Sequence, residues 1–305
     1  MEYCQRALKS NGALRGYVMV CLAAMGWGLW PYFLRHAEAE GPIDPAIESV
    51  FPLAVMSLVT LPFSFRTRLP RTLGPWILMA WLGVSDAGNV LCFFGAYQKT
   101  SVAVAVLTHY LTPLLVALAS PLVLREAFEK RTLGAAAVAF SGLFVLLAPW
   151  RTSVQHADIL GALLGSASAL FYASNVFTNK YLGKWFSPAQ VLCFHGAVAI
   201  PIAYLRVPAH APALGANAIV WLLAGSLLLG AVAGLLFLRG LALIRASHAS
   251  LLTLLEPVVA VLLAAWLFGQ KLGLNTVVGG LLVLGGAASV MLRAKASAPP
   301  ATDVP

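Results

Sequence analysis

The chain has 305 residues, of which 60% are hydrophobic and 10% are charged, and its mean hydropathy is +0.85. No soluble core can bury that share of apolar side chains, so the composition excludes a soluble globular protein and predicts a polytopic membrane protein in a lipid bilayer. The net charge of +9 does not indicate a nucleic-acid partner, because the basic residues lie in small clusters between apolar runs, where lipid headgroups accept them.

The apolar residues fall into ten runs, each close to the roughly 20 residues that a membrane-spanning helix needs. In chain order the runs cover residues 16-34, 46-64, 74-96, 101-123, 132-150, 159-179, 188-205, 217-239, 247-268 and 274-292. The connections are short and carry turn signals such as "GPIDP" and "WFSP", which leaves no room for a separate soluble domain. We therefore predict an all-α polytopic membrane protein with ten transmembrane helices, an N-terminal tail at 1-15 and a disordered C-terminal tail at 294-305.

Basic residues are unequally divided between the two sides of this bundle. Fifteen of the 20 lysines and arginines share the side of the N-terminus, and the other five are Arg35, Lys99, Arg151, Arg206 and Lys271. By the positive-inside rule, both tails are expected in the cytoplasm. The expected location is the cytoplasmic (inner) membrane of a bacterium.

An internal repeat emerges when the chain is shifted by 144 residues, which places Pro113 on Pro257. The shift aligns "SVAVAVLTHYLTPLLVALAS" with "RASHASLLTLLEPVVAVLLA" without a gap. The two copies, 16-150 and 159-293, each hold five predicted helices, so the second copy must enter the membrane from the opposite side. Inverted repeats of this kind are typical of alternating-access carriers, whose binding site lies near the midplane between the halves.

Each copy ends in the same way, with a proline-bearing fourth helix, a short loop and a Gly-rich fifth helix. The segments are "LTPLLVALASPLVLREAFEKRTLGAAAVAFSGLFVLLA" and "LEPVVAVLLAAWLFGQKLGLNTVVGGLLVLGGAASVML". With "MGWGLWPYFLR" in the first helix, they resemble tandem EamA domains of the drug/metabolite transporter superfamily over roughly residues 16 to 293. The acidic residue that the family places after the fourth helix is matched by Glu126, whereas Gln270 stands at that position in the second copy.

The resemblance implies a helical bundle around a central cavity, lined chiefly by helices 1, 3, 4, 6, 8 and 9. It also implies export or exchange of small metabolites such as amino acids. It does not indicate which molecule is carried.

Polar residues at membrane depth are the candidates for substrate binding or coupling. They are Asp86 and Asn89 in the third run, His109 and Thr112 in the fourth, and Glu256 in the ninth. An intramembrane acid is costly and by default functional, and the alternative is an acid buried against a backbone opened by a proline. For His109 the alternative is hydrogen-bonded packing, although its titration near neutral pH suits a proton carrier.

The repeat favours function for both acids. A shift of 144 residues maps Asp86 to Gly230 and Glu256 to Thr112, so neither charge has a copy in the other half. An architectural acid would more naturally occur twice. An asymmetric charge suits a specific ligand or a coupling proton.

Two further sets complete the predicted site. An aromatic wall with polar tips, typical of small-molecule cavities, is expected from Trp27, Trp30, Tyr172 and Asn175. Helix breaks are expected at Pro113 and Pro257. The residues not selected are Glu48, interpreted as a lipid-interface or helix-packing residue, and His195 and His248.

No enzyme, cofactor or metal site is expected. "GVSDAG" at Gly83 lacks the final glycine of a hydrolase nucleophile elbow, the chain has no HExxH motif or Walker loop, and the four cysteines lack metal-ligand spacing. A passive pore and a non-transporting membrane scaffold are the alternatives to a carrier. The glycines Gly279, Gly280, Gly285 and Gly286 predict close helix contacts, either within the chain or between two copies in a homodimer.

Overall fold

The computed structural model describes residues 2–151, 157–211, 213–269 and 271–296, and all secondary structure in these ranges is helical. Within them, nine helical segments are long and apolar enough to cross a membrane, and a tenth is a shorter apolar helix. Numbered as spans 1 to 10, they are Gly12–Glu40, Pro45–Ser64, Leu73–Tyr97, Val102–Val123, Lys130–Leu147, Ile159–Leu182, Pro188–Tyr204, Ala216–Leu243, Ala246–Leu267 and Leu274–Leu292. The predicted all-α membrane fold is confirmed, and each of the ten runs corresponds to one span.

The seventh span differs from the others in length. Pro188–Tyr204, at about 1.5 Å per residue, is roughly 25 Å long, which is less than the ~30 Å of a bilayer's hydrocarbon core. Pro201 lies inside it, and its two helices, Pro188–Phe194 and Gly196–Tyr204, meet at His195.

Helical structure also extends into both predicted tails. The helix Glu2–Trp27 includes most of the predicted tail 1-15, and the helix Leu274–Ala296 runs into the start of the tail 294-305. Residues 297–305 and Gln270 lie outside the described residues.

Span 4 is interrupted just before Pro113. One helix ends at His109 and the next begins at Thr112. Pro113 has no N–H to donate to the His109 carbonyl four residues earlier. The Thr112 hydroxyl donates to this carbonyl instead, at 2.8 Å, so the residue before the proline satisfies the acceptor that the proline leaves open.

Span 9 is interrupted at the equivalent place before Pro257. The helix Ala246–Leu252 ends, and the helix Leu255–Phe268 begins after it. Here the carbonyl left open by the proline belongs to Thr253, and it accepts the Glu256 backbone N–H at 3.0 Å. Both copies of the repeat therefore carry the same break.

Span 1 is interrupted between Trp27 and Trp30, where the helix Glu2–Trp27 gives way to Trp30–Ala37. Gly28 allows span 1 to pack closely against span 9 at this interruption, because a Cβ on Gly28 would lie 2.6 Å from the Glu256 carbonyl oxygen. The breaks of spans 1 and 9 are thus packed against each other.

Contacts between the two halves occur in matching pairs. Span 3 packs along span 6, and the equivalent span 8 packs along span 1. Likewise, span 4 contacts span 6, and the equivalent span 9 contacts span 1. The equivalent spans also meet directly, as 2 with 7, 4 with 9 and 5 with 10. This is the pattern expected of two five-helix copies related by a pseudo-two-fold axis.

The loops 2–3, 4–5, 6–7 and 8–9 meet at one end of the bundle, which we call the basic end. Gln190 donates to the Thr67 carbonyl at 3.1 Å, which joins loop 2–3 to the start of span 7. Loops 4–5 and 8–9 are joined by a cluster that we call the Arg245 network, made of Tyr17, Glu126, Glu129, Thr132, Arg245 and His248.

Glycines bring spans 5 and 10 into close contact. A Cβ on Gly279 would lie 2.5 Å from the Gly142 carbonyl oxygen, and a Cβ on Gly286 would lie 2.8 Å from that of Ala135. A Cβ on Gly285, by contrast, would have no heavy atom within 4 Å. The close contacts of Gly279 and Gly286 are therefore within the chain, and the homodimer stays a prediction.

Candidate functional site

A cavity of about 360 Å³ lies between the two halves. Its walls come from spans 1, 3, 4, 6, 8 and 9, as the family resemblance implies, and also from spans 2 and 7. Span 2 contributes Glu48, Ser49, Pro52, Leu53 and Met56, and span 7 contributes Val191, Leu192 and His195. The expected lining is thus extended by two spans that pack directly on each other.

Asp86 in span 3 is held by residues from the second half. Its Oδ1 accepts a hydrogen bond from the Asn175 Nδ2 at 3.0 Å, and its Oδ2 lies 3.4 Å from the His195 Nε2. The Asp86 side chain is 24% exposed, whereas that of His195 is 5% exposed. The Asp86 carboxyl is therefore the more exposed of the two side chains, and the His195 imidazole is nearly buried in the cavity wall beside it.

Small residues allow span 7 to approach Asp86. A Cβ on Gly83, one turn before Asp86, would lie 2.6 Å from the His195 carbonyl oxygen. A Cβ on Gly196 would lie 2.0 Å from the Ser57 Oγ in span 2. The two glycines thus set the distance at which His195 reaches the carboxyl.

Glu256 lines the cavity from the break in span 9. The Tyr110 hydroxyl faces its carboxyl from the break in span 4. The interrupted parts of the two equivalent spans therefore meet at one acidic side chain. Thr112, the repeat equivalent of Glu256 in the first copy, is fully buried and does not line this cavity.

Glu48 is the third carboxyl of the cavity. It is 5% exposed, and it accepts a hydrogen bond from the Trp30 Nε1 at 2.5 Å. Glu48 stands within the apolar run 46-64, so the criterion that selected Asp86 and Glu256, an acid at membrane depth, applies to it as well. Glu48 was expected from the sequence to be a lipid-interface or helix-packing residue, whereas it lines the cavity.

His109 belongs to a chain of hydrogen bonds that crosses the cavity wall. The Ser168 hydroxyl donates to the Asn89 Oδ1 at 2.8 Å and lies 2.8 Å from the His109 Nδ1. Because the single hydroxyl proton is used toward Asn89, Nδ1 is the donor to Ser168. The imidazole also stacks on Tyr172, with ring centroids 5.3 Å apart and an interplanar angle of 8°.

Aromatic side chains close the cavity toward spans 1 and 8. Trp27 donates from its Nε1 to the Leu229 carbonyl at 2.9 Å. Leu229 lies in a π-helical segment, Ser226–Val232, that interrupts span 8. Gly230, the repeat equivalent of Asp86, lines the cavity from this segment.

The structure brings most of the selected residues together around the cavity. Those that line it are Asp86, Asn89, Glu256, His109, Trp27, Trp30, Tyr172 and Asn175. Thr112 lies in the wall behind it, and Pro113 and Pro257 stand at the helix breaks described above. Glu48 and His195 line the cavity without having been selected. Among the residues that the structure describes, no cluster of histidine, cysteine and acidic side chains could hold a metal ion.

Comparisons with known proteins point to one family. The chain matches the EamA-like transporter family twice, over residues 14–148 and 159–292. An "Uncharacterized transporter" of Archaeoglobus fulgidus is 29% identical over 279 residues, which cover 89% of this chain and 94% of that protein. The "Uncharacterized transporter YxxF" of Bacillus subtilis is 24% identical over 304 residues, which cover 96% and 94% of the two chains.

A solved crystal structure shares the fold. It superposes with a TM-score of 0.79 over 92% of this chain and 98% of its own, at 18% sequence identity. The match to the family repeats in both halves and leaves little of the described bundle uncovered. With its apolar spans and its transporter relatives, this protein is an integral membrane transporter that belongs to the EamA-like transporter family.

Proposed function

We propose that the protein is a secondary transporter that exports or exchanges small metabolites, such as amino acids, by alternating access between its two inverted repeats. The observation that carries the proposal is the cavity itself, whose walls come from both repeats. A rocking movement of one repeat against the other would expose such a cavity first to one side of the membrane and then to the other. The helix breaks of spans 1, 4 and 9 lie beside the cavity and supply positions at which the helices can bend.

The chemistry of the cavity favours a substrate with a cationic, donor-rich group. Glu48, Asp86 and Glu256 are acceptors when ionised. The Asn175 and Asn179 Oδ1 atoms are buried without a hydrogen-bond partner among the described residues, and both residues line the cavity. The ammonium of an amino acid or of a primary amine would satisfy these oxygens, and the aromatic side chains would contact its apolar part.

Counterflow in proteoliposomes tests the function. Vesicles with the purified protein are loaded with unlabelled substrate, and uptake of radiolabelled amino acids and primary amines is measured. We expect saturable counterflow for at least one of these compounds. Glu256→Gln should lower it about tenfold or more, because a hydrogen bond to a charged group is worth about 1.5–3 kcal/mol. The matched control is Glu40→Gln, which neutralises an exposed carboxyl outside the cavity.

Two outcomes would contradict the carrier. Uptake that rises linearly with concentration and shows no counterflow would indicate a passive pore. An absence of flux for every compound, with folded protein in the vesicles, would favour a non-transporting scaffold.

We also propose that the basic end faces the cytoplasm of the bacterial inner membrane, with both termini on that side. The support is the excess of lysine and arginine on this side. In a cysteine-free background, a single cysteine replacing Arg68 should react with an impermeant maleimide only from the cytoplasmic side. A reaction only from outside would reverse the orientation.

A further inference from the structure

The hydrogen bonds of His195 fix which of its ring nitrogens carries a proton. The Nδ1 lies 2.8 Å from the Val191 carbonyl oxygen. A carbonyl oxygen can only accept a hydrogen bond, so Nδ1 must be the donor. In a neutral His195 ring, Nε2 is then an unprotonated acceptor.

This nitrogen faces another acceptor. The His195 Nε2 lies 3.4 Å from the Asp86 Oδ2. Asn175 occupies the other carboxyl oxygen, which accepts its Nδ2 at 3.0 Å. If both Asp86 and His195 had lost their protons, two lone pairs would face each other in a buried setting, which is unfavourable. The contact is favourable only when the two groups share one proton, which is carried either by the Asp86 carboxyl or by the His195 Nε2.

We propose that Asp86 and His195 together form a one-proton site that couples transport to the proton gradient. The inference deepens the proposed function and rests on it. The two side chains belong to opposite repeats, Asp86 to span 3 and His195 to span 7. A movement of the repeats changes their separation, so the proton is held in one conformation and released to the aqueous phase in another.

The exposure of the two side chains fits this role. Asp86 is 24% exposed toward the cavity, and His195 is 5% exposed, so protons and substrate both reach the pair through Asp86. Other titratable groups face the same cavity: Glu48 from span 2, His109 from span 4, Tyr172 from span 6 and Glu256 from span 9. Their charges act on the pair through the cavity, whereas the Asp86 Oδ2 lies 3.4 Å from the His195 Nε2.

Nitrogen-15 NMR of the histidine rings tests the site without a substrate. The chain has six histidines, and His195→Gln identifies the His195 signals by their loss. We expect a protonated Nδ1 throughout the range of about pH 5 to 9. We also expect the His195 titration midpoint to move by about one pH unit or more in Asp86→Asn, because an adjacent charge shifts such equilibria by that amount.

Glu256→Gln is the matched control, since it neutralises a carboxyl of the same cavity that does not contact His195, and it should move the His195 titration less than Asp86→Asn does. Unchanged signals of the other five histidines show that each variant is folded. An unprotonated Nδ1 in His195, or the same His195 titration in Asp86→Asn and the parent, would overturn the proposal.

Transport supplies the second readout. With a substrate identified by counterflow, Asp86→Asn should abolish uptake driven by a pH gradient and should lower exchange at equal pH by a smaller factor. Equal loss of both modes would assign Asp86 to substrate binding and would overturn its role in coupling. Because the NMR signature needs no transport, its failure contradicts the one-proton site alone. Missing counterflow with an intact NMR signature would contradict the proposed function and would leave the shared proton without a role in coupling.

Discussion

Each carboxyl in the cavity has a different partner. The Glu48 carboxyl accepts the Trp30 indole N–H, Asp86 is held by Asn175 and His195, and Glu256 faces a tyrosine hydroxyl. An indole N–H can only donate a hydrogen bond, whereas a tyrosine hydroxyl can donate or accept one. The amide and the imidazole hold the Asp86 carboxyl in one orientation. Three acids in one space therefore meet different constraints on where a proton or a cationic ligand can sit.

The bond between Trp30 and Glu48 should stabilise the fold. Glu48→Ala leaves the Trp30 N–H without its acceptor, which should lower the free energy of unfolding by about 1–3 kcal/mol. Glu48→Gln keeps an acceptor oxygen and should cost less. Thermal unfolding in detergent of Glu48→Ala, Trp30→Phe and the double variant gives the coupling between the two residues, expected at about 0.5–3 kcal/mol. Purely additive losses would show that the bond does not contribute.

The sequence was informative about some site residues and not about others. Asp86 and Glu256 stand out because a charge in an apolar run is costly wherever the helix lies. His195 does not stand out, because its role depends on Asp86 from another span and on Gly83, which lets span 7 come close. Periodicity along one helix carries no information about which residue of a distant helix will face it.

At the level of helices, the breaks in spans 4 and 9 follow from local chemistry. A proline removes one donor, and the carbonyl four residues earlier needs another. Thr112 supplies it in span 4, through its hydroxyl. Because proline acts on its own backbone, these breaks can be predicted from the sequence.

The break in span 8 has a different origin. Its π-helical segment, Ser226–Val232, contains no proline. The Leu229 carbonyl in this segment accepts the Trp27 N–H, and Gly230 lies against the Met56 side chain of span 2. Contacts with other spans accompany this distortion, so the sequence of span 8 alone could not reveal it.

The bounds of span 7 agree with the predicted run to within one residue because proline and loop signals flank it.

Across the whole molecule, the two ends of the bundle are unequal. The Arg245 network joins the halves at the basic end through the guanidinium of Arg245, which bonds to the Glu129 carboxylate. The shift of 144 residues maps Arg245 to Ser101 and Glu129 to Gly273, so the opposite end has no charge at these positions. A charged network at the basic end, without a repeat equivalent at these positions, should favour the conformation in which that end is closed.

The network should be fully formed at neutral pH. Partial burial opposes ionisation of Glu129, but hydrogen bonds from Thr132 and His248 and the charge of Arg245 outweigh this effect, so the pKa of Glu129 lies below its ordinary value of 4.5. A carboxyl whose pKa is lowered by folding stabilises the folded contact above its ordinary pKa. This stabilisation is lost only as the pH falls through the lowered value, which leaves neutral pH suitable for testing the network.

Removing the Arg245 charge should open the basic end. We expect Arg245→Gln to raise the rate at which a cysteine replacing Asn179, in the cavity wall, reacts with an impermeant maleimide added from the basic side. The rise should be about two- to fivefold, because partly exposed ion pairs contribute up to about 1 kcal/mol. Glu129→Gln should act in the same direction, and the double variant should add little, since both changes break one contact.

Lys184→Gln is the matched control, because it removes a charge at the same end that lies over the Tyr181 ring and does not join the halves. Equal labelling rates in Arg245→Gln and the parent would mean that the network does not hold this end closed, and the preference for one conformation would have to come from the apolar packing of the spans.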